Sequence, residues 1–223
     1  DYDLQPFENK LIEREFIVPT SFTNYPNTEF ALPSLMNMMY LDKVVVGMEN
    51  NSRDFQVTHQ ILRINNVMKI FKANDYDIIT FFGGMGNSYN TQLVDEKLCG
   101  FGGFNPDLTK NFVLTYLPVS YFNEVLLENH SREKLECVFK TFEDNSFNDN
   151  SKPKFVLSHL RLPHEPFVYD ENGNSVENKD EYDKSAYLSQ LKFAETKILE
   201  IIDTIQSHSP NAVIIIFSDH GYR

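Results

Sequence analysis

The sequence has no tryptophan and only two cysteines, and its acids outnumber its bases, 32 Asp and Glu against 20 Lys and Arg. Each shortage excludes something. The net charge of −12 argues against a nucleic-acid binder, which needs a basic footprint, and gives no support for docking on an anionic membrane surface. Cys99 and Cys137 form no CxxC and no metal-ligand spacing, so two buried thiols and one disulfide both remain open. No stretch reaches the roughly 18 apolar residues of a membrane span, and no signal peptide is present. The chain begins Asp1-Tyr2-Asp3 and ends on Arg223. It reads as a piece of a longer protein, so missing targeting segments say little about the parent. The glycine-rich stretch Gly83-Gly84-Met85-Gly86-Asn87 is not a phosphate loop. Tyr89 stands where a GxGxxG run starting at Gly84 needs its third glycine, and no GK[ST] follows. There is no internal repeat and no linker strong enough to split the chain, so residues 1–223 read as a single domain.

What is present is an ordinary globular composition, 41% apolar and 23% charged over 223 residues, enough for one real core. Helical spacing runs from Leu4 to Glu15, from Glu29 to Tyr40 with Thr28 before it, and over one long amphipathic stretch from about Asp54 to Lys72. Further helices are expected from Ser131 and across Asp180 to Ser207. Phe16-Ile17-Val18 reads as a short strand stopped by Pro19. Three apolar runs without polar alternation, Tyr76 to Phe82, Phe155 to Leu160 and Ala212 to Phe217, read as strands buried on both faces. Each follows a helix. The expected fold is therefore α/β, a parallel-rich central sheet with helices on both faces.

The chemistry is expected just past the carboxyl ends of those strands, where open parallel sheets place it. Asp219-His220-Gly221 follows the last run. It offers a hard oxygen and an imidazole nitrogen, a pair that suits zinc or manganese; Asp219 could equally cap a following helix. His164, between Pro163 and Pro166, follows the Phe155 run and is either a solvated loop histidine or a functional one. Thr28 starts a helix. It can serve as an N-cap, or as a hydroxyl nucleophile set at the positive end of the helix dipole. His159 reads as a core residue, and His59, His130 and His208 as surface.

Three segments resemble a known family. Ile215 to Gly221 (IIFSDHG) looks like the metal-binding signature of the alkaline phosphatase superfamily, in its sulfatase-like and phosphoethanolamine-transferase-like branch. Ser158 to Phe167 (SHLRLPHEPF) resembles that branch's substrate-histidine segment, and Asn27 to Ser34 (NTEFALPS) its nucleophile helix, with Thr28 five residues before Pro33. The resemblance implies an alkaline-phosphatase-like fold truncated at both ends. It implies that Asp219, His220 and Thr28 hold a divalent metal, Zn or Mn. Thr28 would be the nucleophile, and His164 would hold the transferred phosphate or the leaving group. The implied activity is metal-dependent phosphoryl transfer or phosphodiester hydrolysis on glycan or lipid phosphate esters of the cell envelope, on the extracytoplasmic side of a bacterial membrane. Any membrane attachment would use segments outside this chain. The alternatives are sulfate-ester hydrolysis and a non-catalytic scaffold of the same fold. No C/S-x-P-x-R motif is present, which disfavours the sulfate ester. The family's acidic ligand from a first strand and its further histidine beyond Asp-His-Gly are not in this sequence. The 223-residue chain alone is thus expected to be inactive, with an incomplete metal site.

Overall fold

The computed structural model describes residues 2–43, 55–81, 92–99, 120–148, 152–178, 180 and 182–221, with the backbone alone at 43, over 120–130 and at 178. They fall into two compact units. Unit 1 comprises Asp1–Phe16, Cys99–Asn148 and His159–Ala212; unit 2 comprises Ile17–Leu98, Asp149–Ser158 and Val213–Arg223.

Unit 2 carries the parallel sheet that the apolar runs predict. Strands β1 (Asp77–Phe81), β2 (Glu96–Leu98) and β3 (Lys154–Ser158) are ordered β2-β1-β3, with β1 parallel to both neighbours. The register pairs Ile79 with Glu96 and Val156, and Phe81 with Leu98 and Ser158. Central β1 is covered on both faces: Ile78, Ile79 and Phe81 are buried, as an unalternating run requires. Its core partners are Leu32 and Met36 from α2 (Thr28–Asn37), Leu62 from α3 (Gln56–Arg63) and Met68 from α4 (Asn66–Ala73). The Asp95 carboxylate accepts the Ile78 N–H at 2.8 Å and pairs with Lys72. Partial burial pushes its pKa up, but these donors prevail and hold it below the usual carboxylate value.

Three expectations fail here. The long helix over Asp54–Lys72 is two helices, α3 and α4. Asn65 breaks it by accepting the Met68 N–H at 2.8 Å and donating to the Leu62 carbonyl at 2.7 Å, local bonds that compete with the helical ladder. Residues 212–217 form no strand: among the described residues their one backbone hydrogen bond is the turn bond from the Ala212 N–H to the Ser209 carbonyl, and none reaches another strand. Val213 is 88% exposed and Ile215 78%. An apolar run supplies side chains for burial, but a strand also needs a second row of N–H and C=O groups. Phe16–Val18 fails for the same reason, with Ile17 91% exposed.

Unit 1 is built on α5 (Ser120–Asp144) and α6 (Lys184–His208), with α1 (Gln5–Ile12) beside α6. Asp183 caps α6 by accepting from the Ser185 and Ala186 N–H groups. A turn at Asp170–Gly173 closes an antiparallel hairpin of β4 (Phe167–Tyr169) and β5 (Ser175–Asn178). Gly173 needs to be glycine on two counts. Its φ is +82°, and a Cβ there would stand 2.8 Å from the Phe193 ring. Leu135, Val168, Tyr169 and Phe193 form the core, with Leu160 and Leu162 packed against it.

Cys99 and Cys137 are joined in a disulfide spanning 38 residues of sequence. Loop-closure entropy puts its contribution at about 4 kcal/mol for a loop of this length. Reduction under otherwise identical buffer is expected to lower the thermal midpoint by that equivalent, and Cys99→Ser with Cys137→Ser should reproduce it. Calorimetry with and without dithiothreitol checks both.

A half-buried carboxylate in unit 1 gives a second test. Glu195 accepts the Tyr2 hydroxyl at 2.9 Å. Burial raises its pKa above the ordinary 4.5, more than the Tyr2 bond and nearby lysines lower it, and burial together with Glu195 pushes Tyr2 up to about 12. Because the folded-state carboxyl value lies above the unfolded one, Glu195 favours the fold most when protonated. That contribution is lost as pH rises through the folded value. Glu195→Gln keeps an acceptor for Tyr2 and removes the charge. It is expected to raise the melting temperature at neutral pH, and the gain should close as pH falls below 4.5. Melting curves across that range decide it.

Candidate active site

Thr28, Asp219 and His220 come together within unit 2. Asn27, extended at φ −146° and ψ 152°, is the N-cap of α2, and Thr28 is its first helical residue. The expectation of Thr28 as cap is thus corrected by one position. The Asn27 carbonyl accepts the Phe30 and Ala31 N–H groups at 3.2 and 2.9 Å. The Thr28 and Glu29 N–H groups have no acceptor among the described residues. They leave the positive end of the helix open beside the Thr28 hydroxyl.

The segment leading into α2 is pinned from several sides. Asn24 donates to Ser34 Oγ at 2.6 Å, and Ser34 donates to the Met39 carbonyl at 2.5 Å. The Tyr25 hydroxyl accepts the Leu41 N–H at 2.8 Å, and its ring packs on Phe30 and Tyr40. These contacts fix where the first turn of α2 begins.

Asp219 is held by the same segment. Thr28 Oγ1 donates to Asp219 Oδ2. Thr23 Oγ1 lies 2.5 Å from the Asp219 carbonyl and 2.7 Å from that of Tyr25; its single proton serves one of them at a time. His220 Nδ1 donates to the Gly221 carbonyl at 2.7 Å. That bond fixes the tautomer and leaves Nε2 with its lone pair, 3.8 Å from Asp219 Oδ2. Both side chains are mostly covered, 16% and 17% exposed.

This donor set fits a divalent metal. A carboxylate oxygen and an imidazole nitrogen 3.8 Å apart can share one ion at ordinary ligand distances of about 2.0–2.2 Å. A backbone carbonyl orients the imidazole from behind, as metal-binding histidines require. Next to Thr28, the Asn27 Oδ1 oxygen is buried with no hydrogen-bond donor, a position where positive charge is welcome. Among the described residues no three His, Cys, Asp or Glu gather at one point, so the ordinary ligands number two.

His164 belongs to unit 1, in the loop between β3 and β4. Nδ1 faces Glu165 Oε2 at 2.6 Å and the Glu165 carbonyl at 2.9 Å, with Arg161 Nη2 at 3.1 Å. Two of these neighbours are acceptors, and Arg161 has its own bond to the Glu165 carbonyl at 3.0 Å. Nδ1 therefore carries the proton and Nε2 is open. His159, expected within a strand, sits just past the end of β3 and is half-buried. Sequence reasoning missed Thr23 and Gln190, whose partners lie far along the chain.

Unit 2, built on a parallel sheet, thus sets an Asp-His pair against a hydroxyl at a helix N-terminus. The sequence matches the family model described as Sulfatase over residues 3–223. The chain belongs to the sulfatase family, in the alkaline phosphatase superfamily, whose members are generally metal-dependent hydrolases or transferases of esters. No curated protein and no solved structure matches it. No helix among the described residues is long and apolar enough to cross a membrane.

Proposed function

We propose that this domain transfers or hydrolyses a phosphoryl group with Thr28 as the nucleophile, in the manner of the phosphoethanolamine-transferase-like branch. The observation that carries the reading is the hydrogen bond from Thr28 Oγ1 to Asp219 Oδ2 at the open end of α2. A hydroxyl is a weak nucleophile until something takes or weakens its hold on the proton, and Asp219 Oδ2 is the atom already sharing it. Thr28 Oγ1 gives its proton to Asp219 Oδ2 and attacks phosphorus, the bond to the leaving oxygen breaks and that oxygen takes a proton from solvent, and a phospho-threonine forms that keeps the substrate's other ester group. An acceptor hydroxyl or water then attacks that phosphorus and returns Thr28. The Thr28 and Glu29 N–H groups face the negative charge that develops on the phosphoryl oxygens.

Asp219, His220 and the Thr28 oxygen are the residues that would hold a divalent metal, zinc or manganese. Such an ion supplies Lewis acidity and lowers the hydroxyl's pKa. His164, through the open Nε2, is the group we assign to the transferred phosphate or the leaving oxygen; its segment's resemblance supports this. Cys99 is tied to Cys137, so it is no free thiol for a sulfatase-type maturation, which favours phosphate over sulfate esters. The disulfide also fits an oxidising, extracytoplasmic location. Glycan or lipid phosphate esters of the cell envelope are the substrate class we propose. The complete protein should hydrolyse bis(p-nitrophenyl) phosphate with added Mn²⁺ or Zn²⁺, and p-nitrophenyl sulfate slowly or not at all. The opposite preference would replace this reading with sulfate-ester hydrolysis.

A further inference from the structure

Gln190 is a polar side chain with no exposure, on α6 in unit 1. Its amide is fully used. Oε1 accepts the Val168 N–H at 2.8 Å and the Tyr169 N–H at 3.2 Å. Nε2 donates to the His164 carbonyl at 3.0 Å and the Pro163 carbonyl at 3.3 Å. The partners settle which end is oxygen, because two N–H groups need an acceptor and two carbonyls need a donor. One side chain thus ties strand β4 and the histidine loop to a single point on α6, a helix of 25 residues. From the other side, Leu160 and Leu162 pack the loop against the core around Phe193. The imidazole of His164 remains 42% exposed while its backbone is fixed.

This is more than filling a core requires. Buried amide networks are costly when incomplete, and a hydrophobic residue at this position could pack α6 on β4 but would leave the Val168 and Tyr169 N–H groups without their acceptor. Nor can an apolar side chain grip the 163–164 carbonyls. We infer that Gln190 is the positioning residue for His164: it sets where the open Nε2 stands by holding the backbone that carries it. The inference rests on the catalytic role proposed for His164, and its direct readout is independent of that role.

Two substitutions separate the halves of the amide. Gln190→Leu removes all four bonds. Gln190→Glu keeps an oxygen for the β4 N–H groups and takes away the donor to the loop. In the complete protein at neutral pH, both are expected to move the His164 ring resonances in a histidine-labelled NMR spectrum. Both should lower kcat on bis(p-nitrophenyl) phosphate by about ten- to a hundredfold, as small misplacements of a catalytic group do, with KM nearly unchanged. In a His164→Ala background, adding Gln190→Leu should cost less than about twofold, because the effects run through one group. If either variant misfolds, the wild-type protein still answers: the Gln190 side-chain NH₂ protons should exchange far more slowly than those of exposed glutamines. The inference is overturned by fast exchange of those protons, by unmoved His164 resonances in a folded variant, or by an equal kcat loss with and without His164. If His164→Ala alone leaves kcat unchanged while the Gln190 variants still shift the ring, the catalytic role of His164 fails and its positioning by Gln190 stands.

Discussion

Replacing Thr28 with alanine is expected to lower phosphodiester turnover in the complete protein by about three orders of magnitude or more, the scale on which nucleophile deletions act. The fold should survive. Asn27, and not Thr28, occupies the N-cap position of α2, so the substitution removes no cap. What goes is one hydrogen bond to a mostly covered carboxylate, worth about 1–3 kcal/mol. Alanine is also a better helix former than threonine, which offsets part of that. Thr28→Ser keeps a hydroxyl within reach of Asp219 and should retain measurable activity. Steady-state rates set beside melting curves separate the chemistry from the fold. A Thr28→Ala protein with wild-type turnover would leave the hydroxyl as no more than a brace for Asp219.

Asp219→Asn carries the second large expected effect. The amide still presents an oxygen to the Thr28 hydroxyl, so the contact between α2 and the 218–221 loop can persist. The negative charge goes, and with it the better of the two ordinary metal ligands. Affinity for Mn²⁺ or Zn²⁺ is expected to fall at least about a hundredfold, at or beyond the upper end for perturbed metal sites, and turnover should fall with it. Calorimetric titration of the complete protein measures the first. A metal that binds with undiminished affinity after this change is held by other residues.

How much of this the sequence shows depends on what each feature needs. The first two apolar runs paired in parallel over Asp77–Phe81 and Lys154–Ser158 because each found a neighbour; the pattern of apolar residues and the presence of a partner agreed. The 212–217 run had the pattern alone. The break at Asn65 was hidden because helical spacing continues across it, while the side-chain bonds that stop the helix depend on Leu62 and Met68 standing at the right distance. Asp219, His220 and Thr28 were legible as residue types with a chemistry. Their meeting was legible only through the family resemblance, since residue types alone say nothing across the 191 residues that separate Thr28 from Asp219. Gln190 was illegible altogether: in sequence it is one polar residue on an amphipathic helix, and its four partners lie 21 to 27 residues away. The disulfide belongs with it, two cysteines whose separation of 38 residues permits a bond without requiring one.

The central claim is that Thr28 becomes covalently bound to phosphorus. Mass spectrometry of the complete protein, acid-quenched during turnover of bis(p-nitrophenyl) phosphate with metal present, tests it most directly. The account predicts a nitrophenyl-phosphoryl adduct on the peptide containing Thr28, formed as fast as the first nitrophenolate is released and missing from Thr28→Ala. Turnover with that peptide unmodified, or an adduct on another residue, would contradict it.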